Sequence, residues 1–339
     1  MRATVKDVAR LAGVSPKTVS NVINATVPVA PATRARVEQA LAELDYVPNL
    51  AARGLRNGRT GVVALALPDL AAPYSAAVVQ AFVRVAKQRG TTIQVEETGT
   101  RADREAALIN RAREQLVDGL VLNPVHIDLS TIQQADSLPP LVLIGEVELP
   151  SVDHVGIDQA ALRTLVEGLL RAGRRRVAVL GVMASATSQL RLAAYRDTLR
   201  AAGIEPDPAD EIPSAHWNSR GGHDAVLAHL ASGAQPPDAV VCFNDSLALG
   251  AMGALARAGL DIPSQVAVSG FDDLEVGRWT HPSLSTVTFD HEQLAATTLD
   301  LLAARIADGS RAPQRRTIAS TLVLRDSTGP LPLDDLPTG

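Results

Sequence analysis

From Gly61 onward the chain alternates short apolar runs of β-forming composition with amphipathic stretches of helical period, and few architectures accommodate that rhythm. The apolar runs are GVVALAL, TTIQVEE, GLVLN, LVLIG, HVGID, RVAVLG, AVVCFN, VAVSGF, STVTF and TLVLR; between them lie stretches such as SAAVVQAFVRVAKQRG and DREAALINRAREQLVDG. Strands that are apolar on both faces must be covered on both faces, and right-handed helical crossovers between parallel strands do this. The runs are too many for one compact sheet in this length. Two α/β lobes with parallel sheets are expected.

The first 60 residues have a different pattern. In TVKDVARLAGVSPKTVSNVIN, Thr4 with Asp7 three residues on makes a helix start in which the hydroxyl caps free amides and the carboxylate sits at the positive end. Gly13 can take the positive φ that ends this helix, and Ser15 followed by Pro16 supplies the cap and first residue of a second. Val19, Val22 and Ile23 share a face with Val8 and Ala12, which turns Pro16, Lys17, Thr18 and Asn21 outward. The next segment, PATRARVEQALAEL, carries Val37, Leu41 and Leu44 at helical spacing, enough to close a three-helix core. Such a hairpin can simply be a capped pair of helices, or it can read DNA. Charge favours the second: residues 1–60 hold nine Lys and Arg against four Asp and Glu, a net of +5, while the whole chain carries −5. The basic headpiece therefore sits on an acidic body.

These motifs carry a resemblance. DVARLAGVSPKTVSNVIN followed by YVPNLAARGLR is similar to the headpiece and hinge of the LacI/GalR family of bacterial repressors, and the likeness runs through nearly the whole chain. It implies an N-terminal all-α helix-turn-helix headpiece with a hinge helix, followed by a two-lobed α/β periplasmic-binding-protein-like core with parallel sheets. The implied division is 1–48 for the headpiece, 49–60 for hinge and linker, 61–160 with 291–320 for the first lobe, and 161–290 with 321–339 for the second. Thr4, Ser15, Pro16, Lys17, Thr18 and Asn21 are assigned to the DNA-facing side. Lys17 can donate to guanine, Asn21 can pair with adenine, Ser15 and Thr18 suit phosphates, and Pro16 offers only apolar contact. In the hinge, Asn49, Arg53, Leu55 and Arg56 are expected in the minor groove, with Leu55 where the family places its wedge leucine. A hinge of this length is too short for a stable isolated helix, and Gly54 weakens it further, so it is expected to fold only on DNA.

Open α/β lobes bind ligands beyond the carboxyl ends of their strands. Asp69 and Tyr74 follow the first run, Asn123 the third and Asp158 the fifth, and Asn244 and Asp272 follow two later ones; Arg191 and Trp217 fall on the same side. The resemblance assigns Arg191, Trp217, Asn244 and Asp272 to an effector pocket. An aromatic plate suits the C–H face of a sugar ring, and Asp, Asn and Arg suit its hydroxyls. An Asp or Asn after a strand can equally cap the next helix, an alternative that applies to Asp158, Asp245 and Asp273.

The phosphate-loop, nucleophile-elbow, zincin and dinucleotide motifs are missing, and the histidines have no metal-ligand spacing, so neither an enzyme nor a cofactor is expected. The single cysteine, Cys242, lies in an apolar run and excludes an internal disulfide. Without an apolar leader or membrane span, the expected place is the cytoplasm, at the nucleoid. Three readings stay open: a repressor released by a sugar inducer, a repressor tightened by a purine-type corepressor, and a solute-binding component. A homodimer on palindromic double-stranded operator DNA is expected, with the helix from Tyr74 to Lys87 as the family's dimer face. The tail DSTGPLPLDDLPTG has no leucine heptads to build a tetramer seam.

Overall fold

The computed structural model describes residues 3–24, 27–46, 59–99, 101–113, 117–125 and 139–333. It divides into two compact units, Met1–Thr60 and Gly61–Gly339.

In the first unit, α1 (Val5–Ala12) opens with the reciprocal cap expected from its residues: the Asp7 amide donates to Thr4 Oγ1 at 3.3 Å and the Thr4 amide to Asp7 Oδ2 at 3.0 Å. Gly13 ends it at φ +64°, and the Val14 amide returns to the Ala9 carbonyl at 3.0 Å. Helix α2 (Pro16–Asn24) starts on Ser15, whose Oγ accepts the Thr18 amide at 3.1 Å. Helix α3 (Pro31–Glu43) closes the core. Val8, Val19 and Val37 are fully buried there, ringed by Val14, Ile23, Leu41 and Leu44. So small a core rests on its caps as much as on its packing, each cap contributing about 1 kcal/mol.

The second unit holds two six-stranded sheets. The first contains β1 (Val62–Leu67), β2 (Thr92–Glu97), β3 (Gly119–Leu122), β4 (Leu141–Ile144), β5 (Asp153–Ile157) and β11 (Arg315–Ile318), in the order β11-β5-β4-β3-β1-β2. The second contains β6 (Val177–Val182), β7 (Glu211–Pro213), β8 (Ala239–Cys242), β9 (Ala267–Phe271), β10 (Ser285–Phe289) and β12 (Ser320–Val323), in the order β12-β10-β9-β8-β6-β7. All pairs are parallel except β10 with β12. Central strands β3, β4 and β8 are buried at every position, as runs apolar on both faces must be. The covering helices are α4 (Pro73–Gln88), α5 (Ala102–Arg113), α6 (Ala160–Arg171), α7 (Ala186–Ala201), α8 (Ser219–Ala231), α9 (Asp245–Arg257) and α10 (His291–Ala307).

Two strands are not legible as apolar runs, for a physical reason. Both β7, only three residues long, and β11, where Arg315, Arg316 and Thr317 are exposed, are sheet edges, and an edge strand needs no apolar face on its open side.

The chain passes between the sheets three times: from Ile157 into α6, from Phe289 into α10, and from Ile318 to Ser320. Asp158 ties two of these passages together. Its Oδ1 accepts the Ala160 and Ser320 amides, each at 3.1 Å, and the Ser320 hydroxyl, while its own amide donates to the Ile318 carbonyl.

Helices α8 and α9 cross closely because each has a glycine at the crossing. A β-carbon on Gly250 would stand 1.9 Å from the Ser219 carbonyl oxygen, and one on Gly222 2.3 Å from the Leu247 carbonyl oxygen. Alanine raises intrinsic helix stability by about 1 kcal/mol, but here it must push two backbones apart. Gly250→Ala is therefore expected to destabilise this unit by about 3 kcal/mol, read by urea unfolding; a neutral or stabilised variant would show that the crossing relaxes freely.

Candidate effector pocket and DNA-reading face

A cavity of about 340 Å³ opens where the carboxyl ends of strands from both sheets converge. From the first sheet, Asp69 and Tyr74 arrive on the loop and helix start after β1, Asn123 follows β3, and Glu146 follows β4. From the second, Thr187 and Arg191 come from the first two turns of α7, Trp217 precedes the cap of α8, Asn244 caps α9, and Asp272 follows β9. Seven of the eight residues expected from the sequence thus line one cavity, the exception being Asp158, held by the backbone between the sheets.

Arg191 occupies the floor and is only 5% exposed. Its guanidinium carbon lies 3.6 Å from the centre of the Phe271 ring and 5.6 Å from that of Trp217. One terminal nitrogen donates to the Phe243 carbonyl, and the other is 3.8 Å from Glu146 Oε1. Its Nε has no hydrogen-bond partner. A buried donor without an acceptor carries a desolvation cost.

Trp217 is fixed at both ends. Its indole N–H donates to the Gly181 carbonyl at 2.8 Å, and its own carbonyl accepts from Asn244 Nδ2 at 3.2 Å. The indole edge rests on Phe243 with ring centres 6.0 Å apart. Since its only polar side-chain atom is already used, Trp217 can offer the cavity nothing but an aromatic surface. Asn244 also accepts the Leu247 amide at 2.8 Å, so it both caps α9 and positions Trp217.

Burial drives the electrostatics. It pushes the Asp272 carboxyl well above the usual carboxylate range, with Arg191 pulling the other way and Asp245 and Glu146 adding to the rise. Asp272 also sits at φ +116°, a conformation costing a non-glycine residue about 1–3 kcal/mol, held by its amide's 2.8 Å bond to the Val287 carbonyl. Burial, with Glu146 and Asp272 behind it, raises the Tyr74 hydroxyl, which is hydrogen-bonded to the Asn123 side chain. The Cys242 thiol is likewise raised by burial, consistent with an inert core residue.

Glu146, missed in the sequence, contributes a carboxylate that accepts the Thr187 hydroxyl at 2.7 Å. The rule that found the others applied to it equally, because it lies immediately beyond LVLIG. Asp245 and Asp273, adjacent to pocket residues, do not line the cavity. Asp273 pairs with Arg325 and Arg278, and Asp245 is fully buried, accepting from Thr286 Oγ1 at 2.6 Å and the Leu274 amide at 2.7 Å.

On the headpiece, Ser15, Pro16 and Lys17 are exposed, and Thr18 and Asn21 half-buried. The Ser15 and Thr18 hydroxyls lie 2.9 Å apart, with Ser15 committed to capping. The Thr4 hydroxyl is likewise engaged with Asp7, at 2.7 Å. Asn49, Arg53, Leu55 and Arg56 lie outside the described residues, as does Gly54.

The chain has clear relatives among known proteins. Residues 4–49 match the model for bacterial regulatory proteins of the lacI family, and 166–328 the periplasmic binding protein-like domain. The HTH-type transcriptional regulator GalR of Escherichia coli K12 is 32% identical over 96% of this chain and 95% of its own length. The chain belongs to the LacI family of bacterial regulatory proteins. The ribose operon repressor of the same organism is 31% identical over 96% of this chain and 99% of its own. Among solved structures, a lac repressor dimer bound to operator and the anti-inducer ONPF superposes with a TM-score of 0.86 at 29% identity, covering 97% of this chain and all of that one. This LacI-family chain is thus a DNA-binding transcriptional repressor with a helix-turn-helix headpiece and an effector-binding core. Its relatives are regulators rather than enzymes. Among the described residues no helix is long and apolar enough to cross a membrane, and no cluster of His, Cys, Asp and Glu could hold a metal ion.

The buried Asp245 gives a test of the pocket's frame. Burial raises its carboxyl to about 6, so it keeps its proton to higher pH in the folded protein than in the unfolded chain. Its stabilising contribution is present below the unfolded value near 4 and is lost as pH rises through about 6. In Asp245→Asn the side-chain oxygen can still accept a hydrogen bond, and the titrating carboxyl is gone. The variant is expected to gain on the native protein between pH 4 and pH 7, by up to about 3 kcal/mol. Unfolding curves at both pH values measure this; a difference independent of pH would mean that Asp245 stays ionised throughout.

Proposed function

We propose that this chain represses transcription as a homodimer on a palindromic operator and is released from it by a sugar inducer bound between the two sheets. The observation that carries the reading is the pairing of Trp217 with Arg191. An aromatic plate with no free polar atom stands beside a buried guanidinium with an unused donor, a surface for the C–H face of a ring next to one for its hydroxyls. Asp69, Tyr74, Asn123 and Asp272 supply further donors and acceptors around the same cavity. The name of the ribose operon repressor supports the same ligand class.

Within this reading the lobes divide at the three passages between sheets, as 61–160 with 291–320 and 161–290 with 321–339, behind a headpiece of 1–48 and a hinge of 49–60. Asp158 belongs to the frame rather than the ligand. Lys17 and Asn21 read base edges in the major groove, while Ser15 and Thr18 position α2 against phosphates. Asn49, Arg53, Leu55 and Arg56 serve the minor groove. The dimer forms through α4, on which Val83 is a large exposed apolar residue. No chemical step is involved, and the protein acts in the cytoplasm, where its DNA lies.

The direct test titrates labelled operator DNA, selected from a random pool, with a panel of sugars and nucleosides. A sugar that releases the DNA supports the reading, whereas a nucleoside that tightens binding would replace it with corepression. For the headpiece, Lys17→Ala is expected to relax preference at one base pair at a cost of about 1–3 kcal/mol. Equal loss on operator and random DNA would reduce Lys17 to a phosphate contact.

A further inference from the structure

We propose that the pocket admits only uncharged polyols, and that Glu146 is the residue that turns away sugar phosphates, sugar acids and nucleotides. The inference rests on the reading of this cavity as the effector site and narrows the ligand's chemistry.

Charge comes first. Among the described residues lining the cavity, Asp69, Glu146 and Asp272 are acidic and Arg191 is the only Lys or Arg. Four helices also present their N-terminal ends there, through Tyr74, Thr187, Asn218 and Asn244, and each such end carries about half a positive charge. The guanidinium and these positive ends face Asp69 and Glu146, while burial draws Asp272 toward its neutral form. An uncharged ligand leaves that charge balance intact, whereas a phosphate sets new negative charge beside Asp69 and Glu146, and among the described lining residues Arg191 is the only Lys or Arg to meet it.

The geometry of Arg191 gives the same answer independently. Anions are recognised by the guanidinium fork, two parallel N–H groups on one phosphate or carboxylate. Here one terminal nitrogen is spent on the Phe243 carbonyl, the other faces Glu146, and one face of the group is covered by Phe271. An anion approaching the remaining N–H groups therefore meets the Glu146 carboxylate, which stands 3.8 Å from the second terminal nitrogen.

Glu146 decides the outcome because of where it stands. Its side chain is 8% exposed, its carboxylate accepts from Thr187 in the first turn of α7, and it lies against Arg191. Such a helix start beside a guanidinium is where an incoming anion would settle. The chain places its own carboxylate there.

The test uses the chain's two tryptophans. Trp279 is 79% exposed, so Trp279→Phe leaves Trp217 as the sole fluorescent reporter inside the pocket. Quenching by neutral acrylamide is compared with quenching by iodide, each relative to free N-acetyltryptophanamide. Acrylamide is expected to reach Trp217 with iodide several-fold less effective, and adding Glu146→Gln is expected to raise iodide quenching selectively. Equal access of both quenchers in the Trp279→Phe protein, which needs no change in the pocket, would overturn the proposal. In a second arm, ribose, galactose and cellobiose are titrated against ribose 5-phosphate, galactose 1-phosphate and glucuronate. Saturable signals from neutral sugars, with charged forms about tenfold weaker or more, support it. A charged form binding as tightly as its neutral partner overturns it. Quenching that rejects iodide while no sugar or nucleoside binds would uphold the charge balance and instead remove the effector reading.

Discussion

The core is organised around one buried guanidinium. Moving a charge such as that of Arg191 out of water costs several kcal/mol unless every side of it is matched, and the structure matches it from four directions. A carbonyl comes from beyond β8, an aromatic face from the end of β9, an indole from the approach to α8, and a carboxylate from beyond β4. The first three belong to the second sheet's lobe, whereas Glu146 belongs to the first. The ion pair, together with the Thr187 to Glu146 bond, therefore spans the two lobes. Anything that draws Glu146 or Arg191 toward itself acts on a contact between lobes rather than on a wall of one.

The opposite boundary of the cleft is covalent. The chain passes between the sheets three times, and Asp158 joins two of those passages through Ser320 and the Ile318 carbonyl. Lobes linked by short, hydrogen-bonded strands on one side and by one ion pair across the pocket can turn about the strands while the pocket contact opens or closes. A ligand shifts such an equilibrium only by its difference in affinity for the two arrangements. Residues lining the cavity from both lobes can create that difference; Asp69, Tyr74 and Asn123 stand on one side, Trp217 and Asp272 on the other.

Much of this is legible in the sequence, and the failures share a cause. Alternating apolar runs locate the central strands because those strands are buried on both faces, and they miss β7 and β11 because an edge needs no such pattern. The polar residues just beyond the carboxyl ends of the strands include Asp69, Asn123, Asn244 and Asp272, all of which line the cavity. The same position rule returns Asp158, because an Asp after a strand is also well suited to accept backbone amides, and here it does that instead. Glu146, just beyond LVLIG, obeys the same rule and lines the cavity as well. Phe271 and Phe243 read as ordinary core residues, since only the folded geometry brings one under the Arg191 guanidinium and places the other's carbonyl at its tip. Sequence spacing reports which side of a sheet a residue reaches, not which of its atoms are already occupied.

The claim that ligand control passes through Arg191 is tested most directly by Arg191→Met, which keeps the apolar stem and removes the charge. Fluorescence anisotropy on the selected operator, with and without the sugar that releases the native protein, measures both functions in one titration. The account predicts that the variant still binds operator specifically through the headpiece but no longer lets go when sugar is added. A variant that binds operator and is released by the same sugar concentration as the native protein would contradict it.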